Sequence, residues 1–368
     1  MNIGIDARLL ERRVTGIGRI LMLLLKEIPK FDKKNKYFLF SYELLDVDKN
    51  FYTNVTTVKS FLPQKVFSPL WNNFILPRYL KKEKIDLLFS VNQVLPLFKV
   101  KGCKYISIVN DVIYKANPNF LPFTYRKYLQ FFAFFSIKIS DLIITISEYS
   151  KKDILKHYKV DKNKVKVILQ SANKEFRPMN LEENEKNEIK TKLKLTKYTV
   201  LFVGVIENRK NILGILRVAD ILKENEDLKF LLVGRIGYGG TKIMQEVSKR
   251  KNVIHSSSID DGLLKKIYNV ADVFLFPSYY EGFGYPPLEA MQSGLPVIAA
   301  NNTSLIEIVG KGGILHDADD HISMANDIPK LLNDDSFYLK ARDKGLERAK
   351  QFSLEKTVRE TVNVFNSF

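Results

Sequence analysis

Residues 274–300, FLFPSYYEGFGYPPLEAMQSGLPVIAA, admit few folds. The run Val273–Phe276 is short and wholly apolar and is stopped by Pro277 and Ser278, the pattern of a buried strand in a parallel sheet. Glu281, Gly282, Phe283 and Gly284 then fall in a turn. Pro286 and Pro287 lack N–H donors and fit only the first turn of a helix, so a helix is predicted from near Pro287. Residues 296–300 read as the next strand. Strand, loop, helix and strand in this order form one step of an α/β sheet, whose ligands sit outside the carboxyl ends of its strands.

Small residues ahead of a helix N-terminus let backbone N–H groups approach an anion, and the helix dipole favours negative charge there. Phosphate suits such a place. Glu281 stands just before this turn and Glu289 lies in the helix's first turns, with both carboxylates expected to face one site. Carboxylates beside a phosphate position are repelled unless they bind something else, and sugar hydroxyls donate hydrogen bonds, so the pattern points to a phosphorylated sugar. The plainer alternative is an ordinary crossover with solvated glutamates.

The rest of the chain repeats the alternation. Residues 1–6 read as a first strand, followed by Gly16-Ile17-Gly18 in a loop and a helix from Arg19, although Gly-x-Gly alone is a weak phosphate signal. Strands are expected at 37–42, 55–58, 87–89, 105–109 and 142–146, and again at 198–203, 230–234 and 253–258. Asn110-Asp111 stands at one strand end, where it serves either a ligand or only the following turn. After 198–203 come Gly204 and ValIleGluAsnArgLysAsn, with a helix from about Ile212. Arg209 and Lys210, ahead of that helix, can neutralise a diphosphate without a metal, or else form a solvated basic pair. Residues 354–368 carry an apolar stripe at Leu354, Val358, Val362 and Phe365 that needs a surface to bury it.

The segment EGFGYPPLEAMQSGLPVIA, with seven residues between Glu281 and Glu289, resembles the retaining nucleotide-sugar glycosyltransferases of glycosyltransferase family 4. The likeness covers essentially the whole chain and is tightest over residues 199–316. It implies the GT-B fold, α/β with two Rossmann-like doubly wound domains facing across a cleft: an acceptor-binding domain over 1–172, a nucleotide-sugar domain over 173–352, and a helix over 353–368 crossing back to the first. By the same resemblance Lys210 and Arg209, with amides around Phe283 and Gly284, stabilise the leaving diphosphate. Glu281 holds hydroxyls of the transferred sugar and Glu289 the nucleotide ribose. Gly16 and Gly18, Gly204, Gly282 and Tyr285 border the donor. Transfer retains the anomeric configuration with no protein nucleophile, cofactor or metal. Two departures stand out: Asn110 replaces the usual histidine of a His-Asp pair, which leaves Asn110 and Asp111 without a titratable imidazole, and Val205 replaces an arginine whose work falls to Arg209.

Charge suggests the partners. Of the 368 residues, 1–170 hold 30 Lys+Arg against 14 Asp+Glu, whereas 171–368 hold 28 against 27. The basic half suits an anionic membrane surface, and with it a lipid-linked or oligosaccharide acceptor, or else reflects only a Lys-rich composition. No helix-turn-helix, RNP or zinc-finger pattern is present, and nucleic acid is not expected. A lone Cys103 excludes an internal disulfide and suggests a reducing compartment, and four scattered histidines offer no metal spacing. Two Asp-x-Asp triplets, Asp46–Asp48 and Asp317–Asp319, read as loops. With no leader and no apolar run long enough to span, the expected location is the cytoplasm, peripheral to the inner membrane face. The GIGR and ENRKN motifs resemble those of bacterial mannosyl- and rhamnosyltransferases of surface polysaccharide synthesis, so GDP-mannose leads among donors and a UDP-sugar follows. A sugar-nucleotide 2-epimerase of the same architecture, or a silent sugar-nucleotide-binding protein, are the alternatives; the first needs ionisable groups that Asn110 does not supply.

Overall fold

The computed structural model describes residues 1–11, 16–57, 68–257 and 259–368. Val58 and Ser258, at the ends of two expected strands, lie outside them. The chain divides into two compact units, Met1–Gln170 with Ser353–Phe368, and Ser171–Phe352.

Unit 1 is built on seven strands: β1 (Asn2–Asp6), β2 (Lys36–Ser41), β3 (Tyr52–Thr56), β4 (Leu87–Ser90), β5 (Lys104–Ile108), β6 (Leu142–Thr145) and β7 (Val165–Val167). All pair in parallel, in the order β3-β2-β1-β4-β5-β6-β7. The central strands are apolar on both faces and buried on both, as a sheet covered by helices on each side requires. β7 was not anticipated, because three residues carry too little periodicity to read.

Gly16 and Gly18, expected in a loop, instead open the helix Gly16–Phe31. Its face of Leu21, Leu24, Leu25 and Ile28 is at most 3% exposed, and burial of that face outweighs the roughly 1 kcal/mol per residue that glycine costs a helix. At the end of β1, Arg8 is buried over the Trp71 ring, 3.7 Å from its centroid. Its guanidinium donates to both oxygens of Asp6 at 2.8 and 2.7 Å, to Asn72 at 2.7 Å and to the Tyr42 hydroxyl at 3.1 Å. This planar, multiply bonded arrangement is one that lysine could not reproduce. The helix Leu354–Phe365 packs on unit 1, with Val358, Val362 and Phe365 buried and Thr357 Oγ1 donating to the Leu169 carbonyl at 2.7 Å.

Unit 2 carries six parallel strands: β8 (Tyr198–Val203), β9 (Leu228–Val233), β10 (Val253–Ser256), β11 (Val273–Phe276), β12 (Val297–Ala300) and β13 (Ile314–His316). Their order is β10-β9-β8-β11-β12-β13. From β8 the chain runs outward through β9 to β10, and from β11 outward the other way, so the order reverses between β8 and β11. A crevice opens at such a reversal because the two following loops diverge. At the ends of β8 and β9 a Cβ on Gly234 would lie 2.0 Å from the Gly204 carbonyl oxygen, and with φ at +147° only glycine fits there.

At the opposite end of β8 and β11, Asp272 accepts from the Thr199 amide at 2.7 Å and its own amide donates to the Thr199 carbonyl at 2.9 Å. Burial pushes its carboxyl up to about 6, against only partial relief from that amide and Lys190. A carboxyl raised in the folded state costs stability as pH climbs from the unfolded value, 3.8, to the folded one. The Asp272→Asn variant keeps the acceptor for Thr199 and cannot ionise. Its melting temperature relative to the parent should rise between pH 4 and about 6 and stay level above. A difference independent of pH would refute this.

Candidate functional site

Two loops form the site, one after β8 and one after β11. The first passes through Gly204 into a tight 3-10 turn, Asn208–Lys210, and then through Asn211 into the helix Ile212–Ile221. Asn211 holds a left-handed conformation, φ 51°, which asparagine tolerates, and its Oδ1 caps the helix by accepting from the Gly214 amide at 3.0 Å. This geometry turns Lys210 inward. The Lys210 side chain is 8% exposed, with its ammonium 4.9 Å from the centre of the Phe276 ring.

The second loop brings Glu281 to meet it. Lys210 Nζ donates to Glu281 Oε1 at 2.5 Å, Ser278 Oγ to the same oxygen at 2.6 Å, and Arg209 Nη1 to Oε2 at 3.0 Å. Arg209 also donates to the Tyr280 carbonyl at 2.8 Å and pairs with Glu207 at 2.7 Å, while its own carbonyl accepts from the Tyr279 amide at 2.9 Å. Arg209 therefore staples the two loops together. Burial alone would raise the Glu281 carboxyl, but the charges of Arg209 and Lys210 and the bonds from Lys210 and Ser278 pull it down to about 2. Burial draws the Lys210 ammonium down, opposed by the Glu281 carboxylate. Three donors occupy a carboxylate that has about four lone-pair positions, which leaves room for one more donor.

Further along the second loop, Gly284 has φ +119°, and a Cβ there would lie 2.9 Å from Leu305 Cδ2, so glycine is required. The helix it opens is Tyr285–Gln292, two residues earlier than the prolines suggest. Pro286 and Pro287 occupy its first turn and contribute no N–H, while the Leu288 amide already donates to the Gly284 carbonyl at 3.2 Å. The helix end thus offers an anion fewer amides than an ordinary one, chiefly that of Tyr285 and those of the loop before it. Glu281 and Glu289, expected together, have different partners: Glu289 Oε2 accepts from the Tyr268 hydroxyl at 2.9 Å. The Phe283 and Tyr285 rings pack at a tilt, 4.8 Å between centres, and the buried Tyr285 hydroxyl finds no partner among the described residues. Gly282 lies buried between Glu281 and Phe283.

The loop after β12 closes the site from behind. Asn302 Nδ2 donates to the Ser278 carbonyl at 3.0 Å, Thr303 Oγ1 accepts from the Glu281 amide at 3.2 Å, and Ser304 Oγ bonds the Glu281 and Phe283 carbonyls at 2.9 and 2.7 Å. Thr303 pays backbone strain for this position, with φ 48° on a β-branched residue. Sequence reasoning missed Glu207, Ser278, Tyr268 and these three; only the polar run after a buried strand marks the last group. The triplet Asp317–Asp319 is a loop: Asp319 accepts from the Tyr279 hydroxyl at 2.7 Å, and the Ala318 carbonyl accepts from Asn211 at 2.8 Å. Among the described residues no group of three or more His, Cys, Asp or Glu is placed to hold a metal ion.

The other expected residues belong to unit 1. Asn110 is 8% exposed, its carbonyl accepts from Ser150 Oγ at 2.8 Å, and its Nδ2 has no acceptor among the described residues. Asp111 shapes the following turn, accepting from the Ile113 amide at 3.1 Å, with its carbonyl bound by Gln93 at 3.0 Å.

Residues 183–352 match the model described as Glycosyl transferases group 1, and residues 14–172 match Glycosyltransferase Family 4. O-antigen chain mannosyltransferase B from Escherichia coli is 29% identical over 71% of this chain and 69% of its own length. The serotype-specific mannosyltransferase WbdA, also from Escherichia coli, is 26% identical over 71% of this chain, a match that spans only 32% of WbdA. Among solved structures, a glycosyltransferase from Rickettsia africae aligns over 100% of this chain and 98% of its own at a TM-score of 0.74 and 17% identity. Anabaena HepE, solved with UDP and glucose, aligns over 100% of both chains at a TM-score of 0.74 and 15% identity. With both units matched in order, the chain belongs to glycosyltransferase family 4 and is a glycosyltransferase of the GT-B type related to the O-antigen mannosyltransferases.

Proposed function

We propose that this protein transfers a hexosyl group, mannose first among candidates, from a nucleotide diphosphate sugar to a lipid-linked or polysaccharide acceptor with retention at the anomeric carbon. The observation that carries this reading is the Lys210–Arg209–Glu281 cluster at the reversal point between β8 and β11. GDP-mannose is the leading donor because the curated mannosyltransferases are similar along most of this chain, with a UDP-sugar next.

In this reading the donor's diphosphate lies against Lys210 and Arg209 and the amides of Phe283, Gly284 and Tyr285, which together offset the charge that grows on the departing oxygen. Preorganised donors of this kind contribute on the order of 3–4 kcal/mol each. The two cations supply the positive charge, and no metal or cofactor is invoked. Glu281 has two tasks: it fixes both cations before the donor arrives, and its remaining lone pair takes a hydroxyl of the transferred sugar. Glu289, held by Tyr268, takes the nucleotide ribose. The acceptor falls to unit 1, where the Asn110 amide has a hydrogen bond to give; the acceptor hydroxyl attacks from the face the diphosphate leaves.

Thermal shift against GDP, UDP, dTDP and ADP tests the donor. GDP should stabilise most, by about 2.7 kcal/mol at about 100 times its Kd. The shift should survive EDTA; one that appears only with magnesium would overturn the metal-free reading. Lys210→Ala should lower kcat at least about a hundredfold. Because it leaves Glu281 buried with one cation fewer, it should also lose about 3–5 kcal/mol of stability, so turnover is measured well below its melting temperature. Unchanged transfer by the folded variant would refute the assignment of Lys210.

A further inference from the structure

The helix Phe123–Ile139 of unit 1, FTYRKYLQFFAFFSIKI, contains seven aromatic residues, three basic ones and no acidic one. Leu129, Ala133, Ser136 and Ile137 form its inward face and account for its packing. The outward face is unusual for a helix in water. Lys127, Phe131, Phe134 and Lys138 follow one another at helical spacing along a single stripe, all exposed, with Phe131 at 53% and Phe134 at 47%. Phe131 and Phe134 each pack against Phe135, at 5.0 and 5.4 Å between ring centres, so the rings form one continuous apolar ridge.

The ridge continues beyond the helix. Lys138 lines a cavity shared with Leu97, Phe98, Lys99, Ser140 and Lys164, and Phe98 is 80% exposed. Lys164 Nζ donates to the Lys138 carbonyl at 2.9 Å, while burial and the nearby Lys99 ammonium pull Lys164 below its ordinary value. One acidic group, Asp141, is present and is taken up by Lys99 at 2.7 Å and Lys104 at 3.5 Å. The surface therefore combines projecting rings with an excess of lysine at both ends of the stripe. Exposed apolar ridges rimmed by one sign of charge are the pattern of an interaction site.

We propose that this face docks on an anionic lipid bilayer, with Phe131, Phe134 and Phe98 entering the headgroup boundary and Lys127, Lys138 and Lys164 lying against lipid phosphates. Aromatic rings are at home in that interfacial layer, and basic side chains gain from the negative surface potential within a Debye length of it. No helix of the described residues is long and apolar enough to cross a membrane. Docking would set unit 1 beside a lipid-linked acceptor; that consequence rests on the acceptor class proposed above, whereas the docking itself does not.

The test is co-sedimentation of the full chain with vesicles of phosphatidylglycerol and phosphatidylcholine, against phosphatidylcholine alone. The parent should bind the anionic vesicles and lose most of that binding in about 0.5 M salt, where the Debye length is only about 4–5 Å. Lys127→Glu with Lys138→Glu should weaken anionic binding at least about tenfold. Phe131→Ser with Phe134→Ser should abolish the salt-resistant remainder, and Phe98→Ser, at a still more exposed position, replaces that pair if it fails to fold. All variants should match the parent in transfer to a water-soluble acceptor, which separates failure of docking from failure of glycosyl transfer. The proposal is overturned by no binding to anionic vesicles, by equal binding to neutral ones, or by variants that bind like the parent. Lipid-free dimerisation abolished by the phenylalanine variant would also overturn it, by assigning the ridge to a second copy of this chain.

Discussion

A single buried carboxylate organises the second unit of this protein. Glu281 is reached by Lys210 and Arg209 from the loop after β8 and by Ser278 from its own loop, so two segments some seventy residues apart in sequence are pinned at one point. Desolvating two cations and an anion is costly, and the arrangement persists because each charge has a geometrically close partner. The cluster also explains its surroundings. Asn211 must turn left-handed to point Lys210 inward, Gly284 must take a conformation closed to other residues, and Thr303 bears strain to hold the Glu281 amide. Such a cluster is set before any ligand arrives, which is what electrostatic stabilisation of a leaving group requires.

Unit 1 uses its charge differently. At the end of β1, Arg8 is spent on internal bonds, stacked on Trp71 and gripped by Asp6 and Asn72, and its contribution is rigidity at the point where β1 and β4 diverge. The lysines of the same unit lie mostly outside, several of them next to exposed rings. Arg8 thus serves the structure, whereas most of the described lysines of unit 1 lie at the surface.

The alternation of apolar runs made the α/β class readable, since a parallel sheet covered on both faces writes itself as short uniform strands such as Val273–Phe276. Lys210, Arg209 and Glu281 were readable because each sits in a loop directly after such a strand. The pairing between them was not: ion pairing of Lys210 with Glu281 is a property of two loops meeting in space, and no periodicity encodes it. Ser278 and Tyr268 were invisible for the same reason, as were the differing partners of Glu281 and Glu289. Gly16 and Gly18 misled because local preference favours a loop, whereas burial of the next three turns extends the helix through them. In the aromatic helix of unit 1, Leu129 and Ala133 are buried whereas Phe131 and Phe134 are exposed, a division the sequence does not signal because aromatics stand on every side.

The last helix has a consequence for biosynthesis. Val358, Val362 and Phe365 cover unit 1, yet they leave the ribosome only after the whole of unit 2. Everything from Ser171 to Phe352 has emerged by then, so unit 2 can settle first while unit 1 waits with an apolar flank uncovered. The order of maturation thereby inverts the order of translation, and a nascent chain stalled short of residue 354 keeps a sticky, unfinished amino-terminal half.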